Sequence, residues 1–507
     1  ALAPSAPLLF SAPFVFGAGY GALDVAMNAQ AAAVEERWGR PIMSSFHGAF
    51  SAGALIGSFI AAVIAGRGVP PVPHLLGTGA MMAVVALVAS QHLLSVAAES
   101  AGDGPTFALR FTEGSVIFVT EPQDLQTVLV EQADSFGKSL EYTDPGWGVR
   151  RFLGNGLLIS DGAFWRRQRR LAAPAFHARR IEAYAGQMTA HGATMLAGWG
   201  DGARVDVSAA FSDVTFRIVA QALFGASVDE DGGGIRPGDA ARVHHAVDIM
   251  QRYFADRPVF PPWVPTPMEL RARRARRDLD DVVYRLIAAR RRQNADTGDL
   301  LSMLLAARDD EGQPMSDVQL RDEVVTLLLA GHETTANTLN WTMALLAQHP
   351  GIEARLHAEV DAVLDHGRRA PTLADLANLP YTGRVIDEAL RLYPAAFIIG
   401  RAAKEPVALS FGVIPAGTQL SLPIYLVHRD PRWFDDPDRF DPDRWLPERH
   451  KVAPKQTYLP FGGGPRICIG NSFASMEARL LLSQIASRVR LRLLPETRLV
   501  ARTGLTL

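Results

Sequence analysis

The chain has 507 residues, a formal net charge of −2 at pH 7 and a single cysteine. The near-neutral charge gives no indication of a nucleic-acid partner, and one cysteine excludes an internal disulfide and a cysteine-based zinc cluster. Apolar residues make up 48% of the chain, and their excess is concentrated in the first hundred residues. This shift in composition predicts a domain boundary after residue 97.

Three apolar stretches occupy residues 6–27, 46–65 and 75–96. Each is close to the ~20 residues that a helix needs to cross a bilayer, so we expect about three transmembrane-type helices in residues 1–97. The alternative is a buried helical hairpin in a soluble protein. The arginines that flank the stretches favour a cytoplasmic position for everything after residue 97.

The segment 21–57 resembles a piece of a major-facilitator transporter. Such a transporter has about twelve spans in two halves, so three spans cannot form its central cavity. We therefore expect residues 1–97 to be a transporter-like fragment attached to an enzyme, through either a natural fusion or an assembly or gene-prediction join. We also expect this fragment to be dispensable for the chemistry of residues 98–507.

Residues 98–507 contain turn signals throughout and several helical patterns. Residues 106–119 predict a β-hairpin that turns at Glu113 and Gly114, and residues 141–152 predict a loop. A long helix is predicted over 316–348, capped by Ser316. Further helices are predicted over 124–132, 181–223, 240–254, 269–292 and 469–485, with a proline-rich break over 257–267.

Trp165 and Arg169 are four residues apart in the segment 160–176, so they share one helix face. The neighbouring Arg166, Arg167 and Arg170 lie on other faces. An arginine cluster of this kind is usually a solvated surface. Here we expect both roles, with Arg169 turned inward and the other three forming a basic patch.

The long predicted helix is interrupted by polar residues at 330–337, with the sequence AGHETTAN. Glu333 and Thr334 form an acid–alcohol pair, and Thr334 is able to bond back to a helix carbonyl and widen the turn. Gly331 removes a side chain and opens space beside them. The alternative is a polar patch at a helix contact.

Glu388 and Arg391 have the i, i+3 spacing of an ion pair on one helix face, a signal that is weak by itself. Arg444 follows within residues 442–445, and Arg401 follows the segment 394–400. The apolar residues just before Arg401 are Phe397, Ile398 and Ile399.

The only cysteine, Cys468, lies in the glycine-rich segment 461–470, just before the predicted helix 469–485. A helix N-terminus favours negative charge and therefore a thiolate. Arg466 supplies a nearby cation and Phe461 is able to shield the sulfur from water. A shielded lone thiolate suits the axial ligand of a haem iron; the alternative is a buried structural cysteine.

This segment resembles the haem-binding loop of the cytochrome P-450 family, F-x-x-G-x-R-x-C-x-G. Every fixed position is filled, by Phe461, Gly464, Arg466, Cys468 and Gly470. Together with the patterns at 165–169, 331–334 and 388–391, which occur in the family's order, the resemblance covers about residues 104–506. It implies the mainly α-helical cytochrome P-450 fold with a small β region, formed by residues 98–507.

The resemblance also implies roles for individual residues. Cys468 would ligate the iron of haem b, and Glu333 and Thr334 would deliver protons to bound oxygen. Further haem-binding positions are Trp165, Arg169, Arg401, Phe461, Arg466 and Gly470. The implied structural triad is Glu388, Arg391 and Arg444, and the implied substrate-facing residues are Phe397, Ile398 and Ile399.

The implied activity is monooxygenation, in which one oxygen atom of O₂ enters an apolar organic substrate. The sequence contains no evident dinucleotide fingerprint, flavin domain or iron–sulfur cysteine cluster, so electrons would come from a separate ferredoxin or flavodoxin with its reductase. Two alternatives are a peroxide-driven hydroxylase and a membrane transport or binding protein with a non-catalytic haem domain. The implied location is a cytoplasmic haem domain, held at the membrane if residues 1–97 are genuine.

Overall fold

The computed structural model describes residues 106–225, 235–255, 262–293, 299–308, 312–449 and 453–501, except 112–113, together with residues 504 and 506. The three predicted membrane stretches and the transporter-like segment lie outside the described residues. Contacts divide the chain into two units, Ala1–Ala101 with Ala108–Val116, and Gly102–Phe107 with Ile117–Leu507. Of the first unit only 108–111 and 114–116 are described, as parts of two strands, and all other described residues belong to the second unit.

The described residues are mainly helical with a small amount of β-structure, which confirms the predicted fold class for residues 98–507. The strands are β1 Phe107–Phe111, β2 Gly114–Phe118, β3 Phe136–Gly137, β4 Ile399–Ala403, β5 Val407–Leu409, β6 Gly412–Ile414 and β7 Gln419–Leu422. The helices are α1 Pro122–Gln126, α2 Leu140–Thr143, α3 Arg150–Leu153, α4 Gly162–Ala172, α5 Ala178–Ala197, α6 Val207–Phe224, α7 Asp239–Ala255, α8 Pro267–Gln293, α9 Leu300–Ala306, α10 Asp317–Gln348, α11 Pro350–Val363, α12 Pro380–Leu392, α13 Ile424–Val427 and α14 Asn471–Ala486.

The longest of these helices, α10, has 32 residues and lies within the core. The Ser316 hydroxyl caps its first turn by accepting a hydrogen bond from the Gln319 amide at 3.2 Å, as its sequence predicts. A β-carbon at Gly331 would lie 2.9 Å from Val219 Cγ2 of α6. The missing side chain of Gly331 therefore lets α6 pack closely against α10.

The sheet is small and antiparallel in the described part of the second unit. Strand β4 pairs with β7 through Arg401 opposite Leu420, and with β3 through Ala402 opposite Gly137. The Val119 amide donates to the Ser421 carbonyl at 2.9 Å, which joins the residue after β2 to β7. This pairing fixes β4 beside the residues that precede and follow β3.

Two segments differ from the sequence predictions because of local hydrogen bonding. The predicted loop 141–152 contains the end of α2 and most of α3, and Asp144 closes the turn between them by accepting from the Gly146 amide at 2.7 Å. The predicted helical region 181–223 is divided into α5 and α6. The break is stabilised by Asp206, whose carboxylate caps α6 by accepting from the Ala209 amide at 3.1 Å.

Among the described residues, one helix, α6, is long and apolar enough to cross a membrane, and 61% of its apolar window is buried inside the protein. A core helix satisfies the same criteria of length and composition, because both kinds of helix are apolar on most faces. Its burial against α10 accounts for this composition.

Candidate active site

A cavity of about 340 Å³ lies between α10, the start of α14, the segment before β4 and the loop 460–470. Its wall is mostly apolar, as expected for a small-molecule site. The predicted site residues in this wall are Trp165, Arg169, Glu333, Thr334, Ile398, Ile399, Arg401, Phe461, Arg466, Cys468 and Gly470. The fold thus brings together patterns that are separated by three hundred residues in the chain.

The cysteine loop is held in place by its backbone. The Cys468 amide donates to the Phe461 carbonyl at 2.9 Å, which closes the loop. Gly464 has a positive φ of 64°, and a β-carbon there would lie 1.7 Å from the Leu129 carbonyl oxygen. Only glycine fits this position, since the loop packs directly on the π-helical turn Thr127–Glu131.

The Cys468 thiol is exposed to the cavity. The walls of the cavity surround it with protein. Burial raises the pKa of this thiol, while a hydrogen bond from the Gly470 backbone and the charge of Arg169 act in the opposite direction. A metal cation at the sulfur would reverse the effect of burial, because a coordinated thiol loses its proton. The loop therefore presents a sulfur that needs a cationic partner to become a thiolate.

Basic side chains converge at one edge of the cavity. Arg401 is 6% exposed, and burial, with a smaller effect of Arg466, lowers its pKa to about 10. Burial and the charges of Arg401 and Arg466 also lower the pKa of Lys138 well below its ordinary value. Arg169 lines the same edge. Buried like charges destabilise one another, so this edge favours an anionic ligand.

The anionic side chains of this region offset only part of that charge. Arg466 donates to the carboxylate of Asp161 and to the Ser160 carbonyl, and its guanidinium lies 4.1 Å from the ring centre of Trp165. Arg401 donates to the Gly400 carbonyl at 2.8 Å. An anion with several oxygens would accept hydrogen bonds from the donors that remain.

Sequence reasoning missed Lys138 and its neighbour Tyr142, both of which line the cavity. The Lys138 ammonium lies 4.9 Å from the ring centre of Tyr142. Their proximity to Arg401 comes from the pairing of Gly137 with Ala402 across β3 and β4. No local pattern in the sequence signals a contact that depends on sheet register.

The acid and the alcohol of α10 are anchored separately. The Thr334 hydroxyl donates to the Ala330 carbonyl at 2.7 Å. One oxygen of Glu333, Oε1, accepts from the Gln251 side-chain amide at 2.8 Å and from the Asn337 amide at 3.4 Å. Gln251 and Asn337 also donate to the Thr506 hydroxyl, at 3.3 and 3.0 Å. Asn337 lies one helical turn after Glu333, whereas no local sequence pattern indicates Gln251 or Thr506, which come from distant segments.

The predicted triad lies outside the cavity wall and is fully internal. Glu388 and Arg391 are both 0% exposed, and their two hydrogen bonds measure 2.8 and 2.9 Å. The Arg444 Nε donates to Glu388 at 3.3 Å. Trp445, which sequence reasoning missed, donates its indole N–H to the same carboxylate at 3.0 Å. The carboxylate thus binds three side chains from two segments.

A buried histidine links this cluster to the cysteine loop. The Arg391 carbonyl accepts from His428 Nδ1 at 3.2 Å, and His428 Nε2 accepts from the Leu459 amide at 2.8 Å. Burial lowers the pKa of His428 to about 3, so the ring is neutral and keeps this donor–acceptor pattern. The triad therefore supports the chain just before Phe461.

One of the three residues predicted to face the substrate does not line the cavity. Ile398 and Ile399 line the cavity, but Phe397 is not among the described residues that do so. Its carbonyl accepts from the Tyr425 amide at 3.0 Å, which ties the backbone of this position to α13. Ala395 and Ala396 of the same segment also line the cavity.

Comparisons with known proteins agree with this geometry. The family model of cytochrome P-450 matches residues 73–504. Cyclooctatin synthase of Streptomyces melanosporofaciens is 40% identical over 86% of this chain and 93% of its own length. Pentalenene oxygenase of Streptomyces avermitilis is 40% identical over 69% of this chain and 76% of its own. A solved cyanobacterial cytochrome P-450 with bound retinoic acid superposes with a TM-score of 0.68 and 28% identity, over 78% of this chain and 86% of that one.

The chain belongs to the cytochrome P-450 family. This membership confirms the predicted reaction class, a haem-thiolate monooxygenase that inserts one atom of O₂ into an apolar substrate with electrons from a redox partner protein. It also confirms haem b as the cofactor. The family model begins at residue 73, just before the third predicted membrane stretch.

The residues of this cytochrome P-450 fit haem b. Its iron would be ligated by a thiolate, and Cys468 presents the only thiol of the chain to the cavity. Its two propionates would meet the basic edge formed by Lys138, Arg169 and Arg401. Its apolar ring would contact the mostly apolar wall. The fit rests on the donor set of this structure and not on similarity alone.

A buried carboxyl group below the cavity gives this cytochrome P-450 a testable pH dependence. Glu323 of α10 is 2% exposed and accepts from the Leu157 amide at 2.9 Å, and burial raises its pKa to about 8. A raised pKa means that the folded state binds the proton more tightly than the unfolded state. The stabilisation that this proton provides is complete below the unfolded pKa and is lost as the pH rises through 8.

We therefore compare the melting temperature of Glu323→Gln with that of wild type. We expect the difference in favour of the variant to be larger at pH 9 than at pH 5. The glutamine oxygen still accepts from Leu157, so the bond itself remains. Thermal unfolding across this pH range measures the difference, with exposed Glu448→Gln as the control. A difference between Glu323→Gln and wild type that does not grow with pH would contradict the assignment.

Proposed function

We propose that Cys468 is the thiolate ligand of haem iron in this monooxygenase and that Trp165, Arg169 and Arg401 bind the haem propionates. The observation that carries the proposal is the single cysteine facing a cavity whose edge is basic and whose opposite helix holds Glu333 and Thr334. Arg466, Phe461 and Gly470 shape the loop around the sulfur. Lys138 adds a further cation for the propionates.

The bound haem would supply oxygen activation, with the thiolate pushing electron density toward the iron. The protein's own residues would supply protons and exclude water. The Thr334 hydroxyl would turn from the Ala330 carbonyl to donate its proton into the cavity and would then recover one, with Glu333 as the acid that replenishes it. The apolar wall around Ile398 and Ile399 keeps the substrate and excludes bulk water. The buried triad of Glu388, Arg391 and Arg444 holds the cysteine loop in register.

The proposed substrate is a terpenoid or a similar apolar lipid. Two relatives are named for cyclooctatin and pentalenene, and a structural relative binds retinoic acid. The mostly apolar cavity supports a substrate of this class, since few polar groups are available to fix its orientation. The position that is oxidised depends on how the wall orients the substrate.

The proposed electron donor is a separate ferredoxin or flavodoxin with its reductase. Arg166 and Arg170 of α4 are exposed, on the helix that carries Trp165 and Arg169 toward the cavity. An acidic electron carrier would be attracted to this basic patch at low ionic strength. A peroxide-driven reaction would need no donor, and the acid–alcohol pair favours O₂ over that alternative.

Loss of the Thr334 hydroxyl tests the proposed proton delivery. In Thr334→Ala we expect reductant consumption to continue while product per electron falls by about 10²-fold and peroxide rises, since general acid help is worth ~10²–10⁴-fold. Pentalenene is the probe substrate, with a surrogate ferredoxin and reductase. Thr338→Val, which alters another hydroxyl of the same helix wall, is the control. Unchanged product per electron in Thr334→Ala would remove this role.

For residues 1–97 we propose three membrane helices that hold a cytoplasmic haem domain at the membrane; a chain without them would be cytoplasmic. The chemistry of residues 98–507 does not depend on these helices. We expect a chain starting at Glu99 to be more soluble, to bind haem and to turn over substrate. A second chain starting at residue 73, where the family match begins, is the control. Haem binding by the longer chain alone would move the domain boundary toward residue 73.

A further inference from the structure

His332 is a buried titratable residue next to Glu333 for which the proposed mechanism gives no role. Its side chain is 0% exposed, and its Nε2 atom has no hydrogen-bond partner among the described residues. This atom lies 3.8 Å from Glu333 Oε2. A buried nitrogen without a partner is costly, so its presence beside a reacting acid requires a physical reason.

The hydrogen bonds of His332 define its tautomer. Its Nδ1 lies 3.4 Å from the Leu328 carbonyl oxygen, an atom that only accepts. Nδ1 must therefore carry the proton, and in the neutral ring Nε2 is a base with a free lone pair. Burial lowers the pKa of His332, so the ring is neutral near pH 7 and releases an additional proton readily.

The environment of Glu333 gives its two oxygens different partners. Oε1 is held by the amides of Gln251 and Asn337, whereas Oε2 faces His332. A small rotation of the carboxyl group about the anchored Oε1 would bring Oε2 within hydrogen-bond distance of Nε2. Phe216 of α6 meets the imidazole edge-on at a centroid distance of 6.0 Å and restrains the ring.

We propose that His332 is the proton-exchange partner of Glu333: when Glu333 has given up its proton, His332 returns one from Nε2 to Oε2. In this step the N–H bond of the imidazolium breaks, the O–H bond of the carboxyl forms, and the ring becomes neutral. The ring is protonated beforehand by hydronium from the solvent, which leaves a water molecule behind. The inference rests on the proposed role of Glu333.

The neighbouring groups are compatible with proton supply from the α6–α7 side. His244 of α7 is half-buried, bonds the Ser212 hydroxyl at 3.0 Å and is close enough to lower the pKa of His332. Glu333 acts in the opposite direction and raises that pKa. From α6, Thr215 donates to the His332 backbone carbonyl at 3.0 Å and does not touch the ring nitrogens.

The direct test uses the haem-loaded, CO-bound protein labelled with ¹⁵N-histidine. We expect the His332 signals to show protonated Nδ1 and unprotonated Nε2 at pH 7, and we expect the Nε2 signal to shift in Glu333→Gln. An Nε2–H tautomer, or a signal insensitive to Glu333→Gln, would overturn the proposal. This measurement needs no substitution at His332, so it holds even if His332 variants fail to bind haem.

The functional test compares His332→Phe and His332→Gln in the pentalenene assay. We expect product per electron to fall about tenfold, less than for a directly acting group, with more peroxide and a larger solvent deuterium effect. Thr215→Val is the matched control, because it alters the same α6–α10 contact and leaves the ring nitrogens intact. Wild-type behaviour of both His332 variants would overturn the inference. Wild-type behaviour of Glu333→Gln would overturn the role of Glu333 itself.

Discussion

We expect that replacing Cys468 with alanine will abolish the long-wavelength absorption band of the reduced, CO-bound protein and reduce monooxygenation below detection. The reason is that Cys468 is the only thiol of the chain, so no other side chain can supply a thiolate ligand. Without the thiolate, iron loses the electron donation that favours O–O cleavage. The measurement is the CO difference spectrum, together with the haem content per chain.

The single cysteine also makes ligand removal informative. In the haem-loaded protein Cys468 should resist a thiol reagent, and extraction of the haem should expose one reactive thiol per chain. The control is Ser472→Ala, at an exposed residue four positions after Cys468. This variant should keep the CO difference spectrum and a thiol that is protected in the haem-loaded protein. An unchanged CO spectrum in Cys468→Ala would show that the iron ligand lies elsewhere.

The second large effect is expected at Arg391. Arg391→Ala leaves the Glu388 carboxylate at 0% exposure without its closest cation. Breaking a buried ion pair in this way destabilises proteins by ~3–5 kcal/mol. Arg391 also donates to the carbonyls of Pro437 and Arg439, so those segments lose their anchor. We expect poor haem incorporation, measured as haem per chain, and unfolding at lower denaturant concentration.

The matched control is Arg355→Ala. Its guanidinium binds Asp443 with two hydrogen bonds of 2.7 and 3.0 Å, but its side chain is 54% exposed. Exposed pairs contribute ~0–1 kcal/mol, so this variant should fold and bind haem almost normally. Replacing Glu388 and Arg391 together with leucine and methionine should recover part of the stability. Equal unfolding midpoints for Arg391→Ala and Arg355→Ala would show that the buried pair has no structural role.

The sequence alone determined the elements whose information is local. The Cys468 loop is a continuous motif, and α10 begins and ends within one residue of its predicted bounds because its cap at Ser316 and its break at Pro350 are local signals. The back-bond of Thr334 to Ala330 is also a one-turn contact that residue type predicts. The reaction class followed from such motifs, since their chemistry does not depend on exact packing.

The tertiary structure alone decided the contacts between distant segments. Lys138 lies beside Arg401 because of the register of β3 and β4, and Gln251 of α7 donates to Glu333 of α10 although 82 residues separate them in the chain. His428 connects the triad to the cysteine loop for the same kind of reason. Sequence periodicity determines which face of a helix is buried, but not which residue of another element packs against it. The partners that tune the acid and the propionate site therefore emerge only from the packed fold.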